Sequence, residues 1–281
     1  MTTIFTWNIQ WGLGTDGRCD LGRIAAETRA MADADVICLQ ELSDNMADLK
    51  DNDGSDQFAA MAALFPGYTA IQSAPVDVPG ENGRRRRFGN MVLSRLPVGQ
   101  VLNYMLPWEA DATPNMPRAL IDAVVTAPFG PLRVMTTHLE WSSHKLRWAQ
   151  VEGIREAQRL AAERAKTPPS PYYGPFIPFP GTASAVLTGD FNMKADNSAK
   201  LRLEEPLPEG IPTLKDSWAI RHGDTPHPPS FCIVDQSHSP PHCCDFIFVT
   251  EDIAPRVVDV QYFTETRASD HQPVLLTLSD D

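Results

Sequence analysis

Short apolar runs recur along the chain at Ile4–Ile9, Val36–Leu39, Met91–Leu93, Ala119–Val125, Leu132–Leu139, Ala185–Leu187, Phe246–Val249, Val257–Tyr262 and Pro273–Leu278. Several are apolar at consecutive positions, the pattern of strands covered on both faces. Ala119–Ala127 and Arg133–Leu139, joined by Pro128-Phe129-Gly130-Pro131, predict a hairpin. Helical spacing is rarer. It predicts helices over Leu21–Ala34 and Ser55–Leu64, and a long one over Ser143–Lys166 with Leu146, Val151, Ile154, Ala157 and Ala161 on one side. Thr167-Pro168-Pro169 ends that helix, because proline lacks the donor and clashes with the preceding turn. The stretch Thr167–Gly181 that follows can hold neither a helix nor a central strand. Leaving Tyr172, Tyr173, Phe176 and Phe179 in water would be costly, which predicts an ordered aromatic loop. Many strands, few helices and late strands without helices between them predict an α/β protein: two packed mixed sheets flanked by helices, in a single domain over 1–281.

Composition narrows the function classes. No apolar run approaches the roughly 18 residues needed to cross a bilayer. Met1–Gln10 lacks the basic start, apolar stretch and cleavage site of a secretory leader. The cysteines Cys19, Cys38, Cys232, Cys243 and Cys244 are odd in number and sparse, so reduced thiols and a cytoplasmic location are expected. The net charge of −12 argues against coating nucleic acid by charge alone.

The polar residues that end the apolar runs carry the chemistry. Ile4–Trp7 leads to Asn8, Val36–Gln40 to Glu41, Val134–Thr137 to His138, and Val186–Gly189 to Asp190-Phe191-Asn192. Cys243-Cys244 leads to Asp245, and Ser269-Asp270-His271 precedes the last run. Any one of these alone reads as a turn or cap residue. Six such endings in one chain point instead to a site, since ligands in layered α/β folds gather at one end of the strands. The set suits displacement at phosphorus assisted by a hard cation, Mg²⁺ or Mn²⁺, with Glu41 as first ligand. Asp190 could orient or deprotonate water, and Asn8 and Asn192 could donate to phosphate oxygens. His138 and His271 could be cationic and stabilise the transition state, with Asp245 the candidate partner of His271.

In order, Trp7-Asn8, Leu39-Gln40-Glu41, Thr137-His138-Leu139, Gly189-Asp190-Phe191-Asn192, Asp245-Phe246-Ile247-Phe248 and Ser269-Asp270-His271 resemble the endonuclease/exonuclease/phosphatase superfamily. Phe88–Arg95 and Arg147-Trp148-Ala149-Gln150 look like segments of the same family, and the resemblance runs from Ile4 to Leu278. It implies a four-layer α/β/β/α sandwich and Mg²⁺- or Mn²⁺-dependent phosphoester hydrolysis. It also implies Glu41 as principal metal ligand, with Asn8 and Asp270 beside the metal. Asp190 and Asn192 would handle water and phosphate, Asp245 would orient His271, and His138 would contact the scissile phosphate. Arg118 matches a substrate-phosphate arginine of some members. Gln10 departs from the pattern: it stands where abasic-site nucleases carry an acid, which puts a second metal ligand there in question.

Other signals are weighed against this reading. Gly12–Gly17 imitates a dinucleotide fingerprint, but Gln10 and Trp11 separate strand from glycine, so a flexible loop is expected. Arg84–Arg87 reads as a solvated loop rather than a phosphate clamp at the mouth of the site. Cys243 and Cys244 read as buried apolar residues rather than zinc ligands. His222, His227, His238 and His242 are expected to be exposed or near the substrate entrance. The expected function is a monomeric phosphodiesterase or phosphatase acting on a small-molecule or lipid-derived phosphoester. A DNA or RNA nuclease is the alternative of the same chemistry. A binding module that kept the fold without catalysis, and a dinucleotide-dependent oxidoreductase, are the alternatives of other classes. The loops Thr167–Gly181 and Pro226–His242 are expected to shape specificity.

Overall fold

The first apolar run of the chain pairs with the last. In a computed structural model, which describes residues 1–281 apart from Asn82, Thr2–Asn8 lies antiparallel to Val274–Leu278 and parallel to Val36–Asp44. In chain order the strands are β1 (Thr2–Asn8), β2 (Val36–Asp44), β3 (Thr69–Pro79), β4 (Arg85–Ser94), β5 (Val98–Met105), β6 (Ala119–Ala127), β7 (Gly130–His138), β8 (Ala185–Asp190), β9 (Leu214–Asp216), β10 (Asp245–Thr250), β11 (Val257–Tyr262) and β12 (Val274–Leu278). The helices are α1 (Leu21–Met31), α2 (Gln57–Leu64), α3 (His144–Lys166), α4 (Ser198–Glu204) and α5 (Ser217–His222).

Two six-stranded sheets result, β11-β12-β1-β2-β4-β3 and β5-β6-β7-β8-β10-β9. Each holds one parallel pair, β1 with β2 and β7 with β8. Alternation along the strands sorts the side chains. Phe5, Trp7, Ile37, Leu39, Met91 and Leu93 face outward and share a core with Ile24 and Ala25 of α1 and with Phe58 and Met61 of α2. Ile4, Val36, Cys38 and Val92 face inward onto Ile121, Val134 and Val186 of the second sheet. On that sheet's other side, Val151, Ile154 and Ala157 of α3 belong to the same packed cluster. The fold is thus the four-layer α/β/β/α sandwich. Among the polar contacts between the sheets, Gln40 Nε2 donates to Thr136 Oγ1 at 2.9 Å, while within its own sheet it donates to Thr6 Oγ1 at 3.2 Å.

The helices start where side chains cap them. Asp20 accepts from the Arg23 amide, Asp56 from that of Ala59 and Ser143 from that of Leu146. α1 starts only after Asp20, beyond the Gly12–Gly17 segment, so no helix N-terminus meets those glycines as a dinucleotide site requires. That segment is tied down, since Gly14 N donates to Arg18 O and Gly12 N to Ile9 O.

Three expectations need correction. Arg85–Arg87 belong to β4 rather than to a loop, and the run is neutralised by ion pairs. Arg84 and Arg87 meet Asp44, Arg87 also meets Asp56, Arg85 meets Asp77 and Arg86 meets Asp48. In the aromatic loop, Tyr172, Tyr173, Phe176 and Phe179 are 57–70% exposed, their cost in water reduced only by stacking on one another, as Tyr172 does on Tyr173 at 4.3 Å. The loop follows the end of α3, a helix of 23 residues that begins beside His138 and carries the chain about 34 Å away. It therefore stands far from the strand ends that gather the acids. His227 and His222 are packed rather than free: His227 bonds Asp216 at 2.8 Å, and His222 stacks on Trp218 at 3.8 Å.

Candidate functional site

Strand direction explains how distant residues meet. Asn8, Glu41, His138 and Asp190 stand at or near the carboxyl ends of β1, β2, β7 and β8. Asp245 opens β10, which runs antiparallel to β8, and Asp270-His271 precede β12, antiparallel to β1. All six positions therefore lie at the same end of the two sheets. Arg118, just before β6, reaches that end as well, because β6 is antiparallel to β7.

Local backbone features aim the side chains. Between Leu39 and Leu42 the β2–β4 register shifts, setting Gln40 and Glu41 against Asn90. Glu41 has φ of 65°, so it turns toward the site although its neighbour Gln40 also faces inward. Gly189 has φ of 139°, and a Cβ there would stand 1.9 Å from the Thr137 carbonyl oxygen. Only glycine lets β8 run this close to β7 and deliver Asp190. Asn192 has φ of 50° and its amide N–H donates to Asp190 Oδ1 at 2.8 Å.

Hydrogen bonds then tie the groups together. Asn8 Nδ2 donates to Glu41 Oε1 at 3.1 Å and to Asp190 Oδ2 at 3.0 Å. Both its N–H groups are engaged by acids, so a contact with phosphate requires one of them to change partner. Asp190 Oδ2 also lies 3.5 Å from His138 Nε2 and 3.6 Å from His271 Nε2. Asn192 Nδ2 donates to the Leu139 carbonyl at 3.0 Å, which fixes its amide orientation, and sits 3.0 Å from His138 Nε2. That nitrogen must accept, leaving the proton of His138 on Nδ1, 3.8 Å from Glu41. His271 Nδ1 and Asp245 Oδ2 are 2.8 Å apart.

Several supporting residues carried no role in the sequence reading. Ser230 Oγ donates to Asp245 Oδ2 at 2.7 Å, and Phe231 stacks on His271 at 4.5 Å. Both belong to Pro226–His242, which drew notice only for its length and composition. Ser269 Oγ donates to the Asn8 carbonyl at 2.7 Å, and Trp7 Nε1 to that of His271 at 2.9 Å, locking β1 to the β12 entry. Gln10 was visible only as a departure from an acid. Its Nε2 donates to Asp270 Oδ2 at 2.9 Å.

Burial sets the charge states. It pushes the Glu41 carboxyl up to about 7, helped by the Asp270 charge, and it raises Asp270 and Asp245 too. For His271, burial favours the neutral ring, but Asp245 and Asp190 outweigh it and hold the ring protonated well above its ordinary range. His138 goes the other way: burial, then the charges of Arg118 and His271, hold it well below. Of the two histidines that could be cationic, these surroundings favour the charge on His271 and oppose it on His138.

A hard cation fits this donor set. Glu41, Asp190, Asp245 and Asp270 bring four carboxyl groups together, Asp190 and Asp245 buried and Glu41 and Asp270 partly so, and like charges this close favour a cation between them. Asp190, Cys244 and His271 also bring ligand atoms within 4.8 Å of one another. That second grouping is a poor metal site. Burial holds the Cys244 thiol well above its usual pKa, and the thiol and His271 Nδ1 both turn to Asp245.

The chain matches the model of the Endonuclease/Exonuclease/phosphatase family over residues 5–271. No curated protein matches it in sequence. Among solved structures it is similar to an endonuclease/exonuclease/phosphatase from Beutenbergia cavernae, with 25% identity and a TM-score of 0.64, over 99% of this chain and 72% of that one. It is similar to a mannosyl-6-phosphatase from Bacteroides thetaiotaomicron at 17% identity and TM-score 0.65, over 99% and 100% of the two chains. It is also similar to the 3' phosphatase NExo from Neisseria, bound to a product DNA hairpin, at 18% identity and TM-score 0.62, over 99% and 100%. The last two likenesses speak for the fold. The family match runs from the first strand to His271 and so takes in every strand end that meets here: the chain belongs to the endonuclease/exonuclease/phosphatase family.

Proposed function

We propose that the protein hydrolyses phosphoester bonds with a divalent cation, Mg²⁺ or Mn²⁺, by attack of water on a bound phosphate. What supports this reading is the meeting of Glu41, Asp190, Asp270 and the Asp245–His271 pair at one end of the sheets, with Asn8 bonded to both Glu41 and Asp190. Glu41 and Asp270, with Asn8, are the residues assigned to the cation. Once bound, it would polarise a phosphoryl oxygen and stabilise charge at the leaving oxygen.

The chain's own groups do the rest. Asp190 Oδ2, bonded by Asn8 and 3.6 Å from the protonated His271, orients or deprotonates the water. His271, kept protonated by Asp245, donates to the charge that develops on phosphorus oxygens. His138, neutral with its Nε2 held by Asn192, contacts the phosphate by hydrogen bonding rather than by charge. Asn192 steadies Asp190 through its backbone amide, and Arg118 offers a guanidinium to the phosphate.

A small-molecule or lipid-derived phosphoester is the favoured substrate. The net charge is −12, and the Arg84–Arg87 guanidinium groups are already paired with aspartates, so that run offers no free grip for a polyanion. The test is a panel of phosphomonoesters and phosphodiesters with Mn²⁺ and Mg²⁺, run beside plasmid nicking at rising salt. Metal-dependent turnover that disappears in Glu41→Ala and His271→Ala supports the proposal. Turnover at the parental rate in either variant overturns the site assignment. Robust nicking that falls steeply with salt would move the substrate to nucleic acid.

A further inference from the structure

β4 carries Gly89 and Asn90 between two irregularities. On one side Gln40 and Glu41 of β2 oppose Asn90, and on the other Ala74 and Pro75 of β3 oppose Gly89. Gly89 is crowded: a Cβ there would come within 2.0 Å of the Ser73 carbonyl oxygen. Two residues on, Val92 packs inward between the sheets, so Asn90 also faces inward, at the end where the acids meet. Asn90 is 3% exposed.

Arg118, beside it, has buried groups that lack partners among the described residues and call for an explanation. It is 3% exposed, its Nε and Nη1 lack hydrogen-bond partners among the described residues, and Glu140 Oε2 is 3.8 Å from its Nε. Both side chains line one pocket with His138, walled by Phe88, Met116 and Pro117. Its volume is about 10 Å³, room for one water-sized group. Donors from a guanidinium and an amide, converging on a space for one oxygen beside the imidazole, match an oxyanion rather than a carbon-bearing group.

We propose that Asn90 joins Arg118 in binding one non-bridging oxygen of the scissile phosphate beside His138, which makes Asn90 a further substrate-binding residue. This deepens the phosphoester reading and rests on it. Asn90 supplies a directional donor without a second cation that would compete with the metal for the carboxylates. The bulge that turns Glu41 into the site is the same one that leaves Asn90 facing it, so a single irregularity positions both.

The experiment measures binding of inorganic phosphate and of Mn²⁺ by calorimetry, with turnover of a phosphoester, for the parent, Asn90→Ala and Asn90→Asp. Loss of one hydrogen bond to an anion should weaken phosphate binding about ten- to a hundredfold in Asn90→Ala. Asn90→Asp keeps the shape, so it guards against a folding artefact, and its like charge should weaken phosphate further. Mn²⁺ affinity should stay at the parental value in Asn90→Ala, which a merely structural defect would not allow. Parental phosphate affinity in both variants overturns the proposal. If phosphate binding depends on Asn90 while the parent turns over no phosphoester with either metal, the hydrolase reading fails and the subsite stands.

Discussion

Gln10 Nε2 donates to Asp270 Oδ2 at 2.9 Å, so a neutral amide holds one of the partly buried acids of the site. An acid at this position would meet Asp270 as a like charge unless a cation lay between them. Gln10→Glu should therefore lower the melting temperature of the metal-free protein at pH 8 and enlarge the stabilisation that Mn²⁺ produces. Thermal unfolding with and without Mn²⁺ checks this, and an unchanged metal-free melting temperature would count against it.

Glu41 sets the pH dependence of metal binding. Its folded pKa of about 7 lies above the ordinary value of 4.5, so the native state holds a proton that the unfolded chain releases earlier. The stability this group lends is full below 4.5 and is lost as pH rises through 7. A cation reverses the trend, because it binds the ionised carboxylate. The melting-temperature rise caused by Mn²⁺ should be small at pH 5.5 and large at pH 8, and vanish in Glu41→Gln. Equal rises at both pH values would show that Glu41 is not the controlling group.

The Asp245–His271 pair should govern the alkaline limb of the rate profile. Asp245 and Asp190 keep His271 protonated above its ordinary range, so activity should fall only as pH climbs past that raised value. Asp245→Asn removes one of the two charges. It should bring the limb toward neutrality and lower kcat by about 10²- to 10³-fold, the scale of losing a group that stabilises transition-state charge. A pH–rate profile measures both effects.

Gly189 tests the backbone rather than the chemistry. A methyl group added here would put its carbon 1.9 Å from the Thr137 carbonyl oxygen, so alanine cannot be seated without separating β7 from β8. Gly189→Ala should cost about 3 kcal/mol, and activity should fall with it because Asp190 is the next residue. Urea unfolding gives the first number; a loss below about 0.5 kcal/mol would contradict the close approach.

Where the sequence was legible, local signals sufficed. The apolar runs ending in Asn8, Glu41, His138 and Asp190 are strands because their hydrophobicity is continuous, and Ser143–Lys166 is a helix because its spacing is regular and proline stops it. Their convergence was foreseeable from the ordered motifs. β3 and β5 were missed because Thr69–Pro79 and Val98–Met105 are largely solvent-facing and mix polar residues and proline with apolar ones. The pairing of Arg84–Arg87 with Asp44, Asp48, Asp56 and Asp77 was hidden because those acids lie on other segments. Asn90 lay inside the family-like segment Phe88–Arg95 but drew no role, since its position opposite Glu41 exists only once two strands have slipped register.

The polar link from Gln40 to Thr6 and Thr136 has a practical consequence. Asn8, Glu41 and His271 ride on one slab of the molecule and His138, Asp190 and Asp245 on the other, so the proposed reaction requires that the slabs stay in step. Gentle heating that lets them slide by a fraction of an ångström would silence turnover before any spectroscopic sign of melting. An assay of rate would then be a finer thermometer of damage than circular dichroism, and Gln40→Leu would widen the gap between the two.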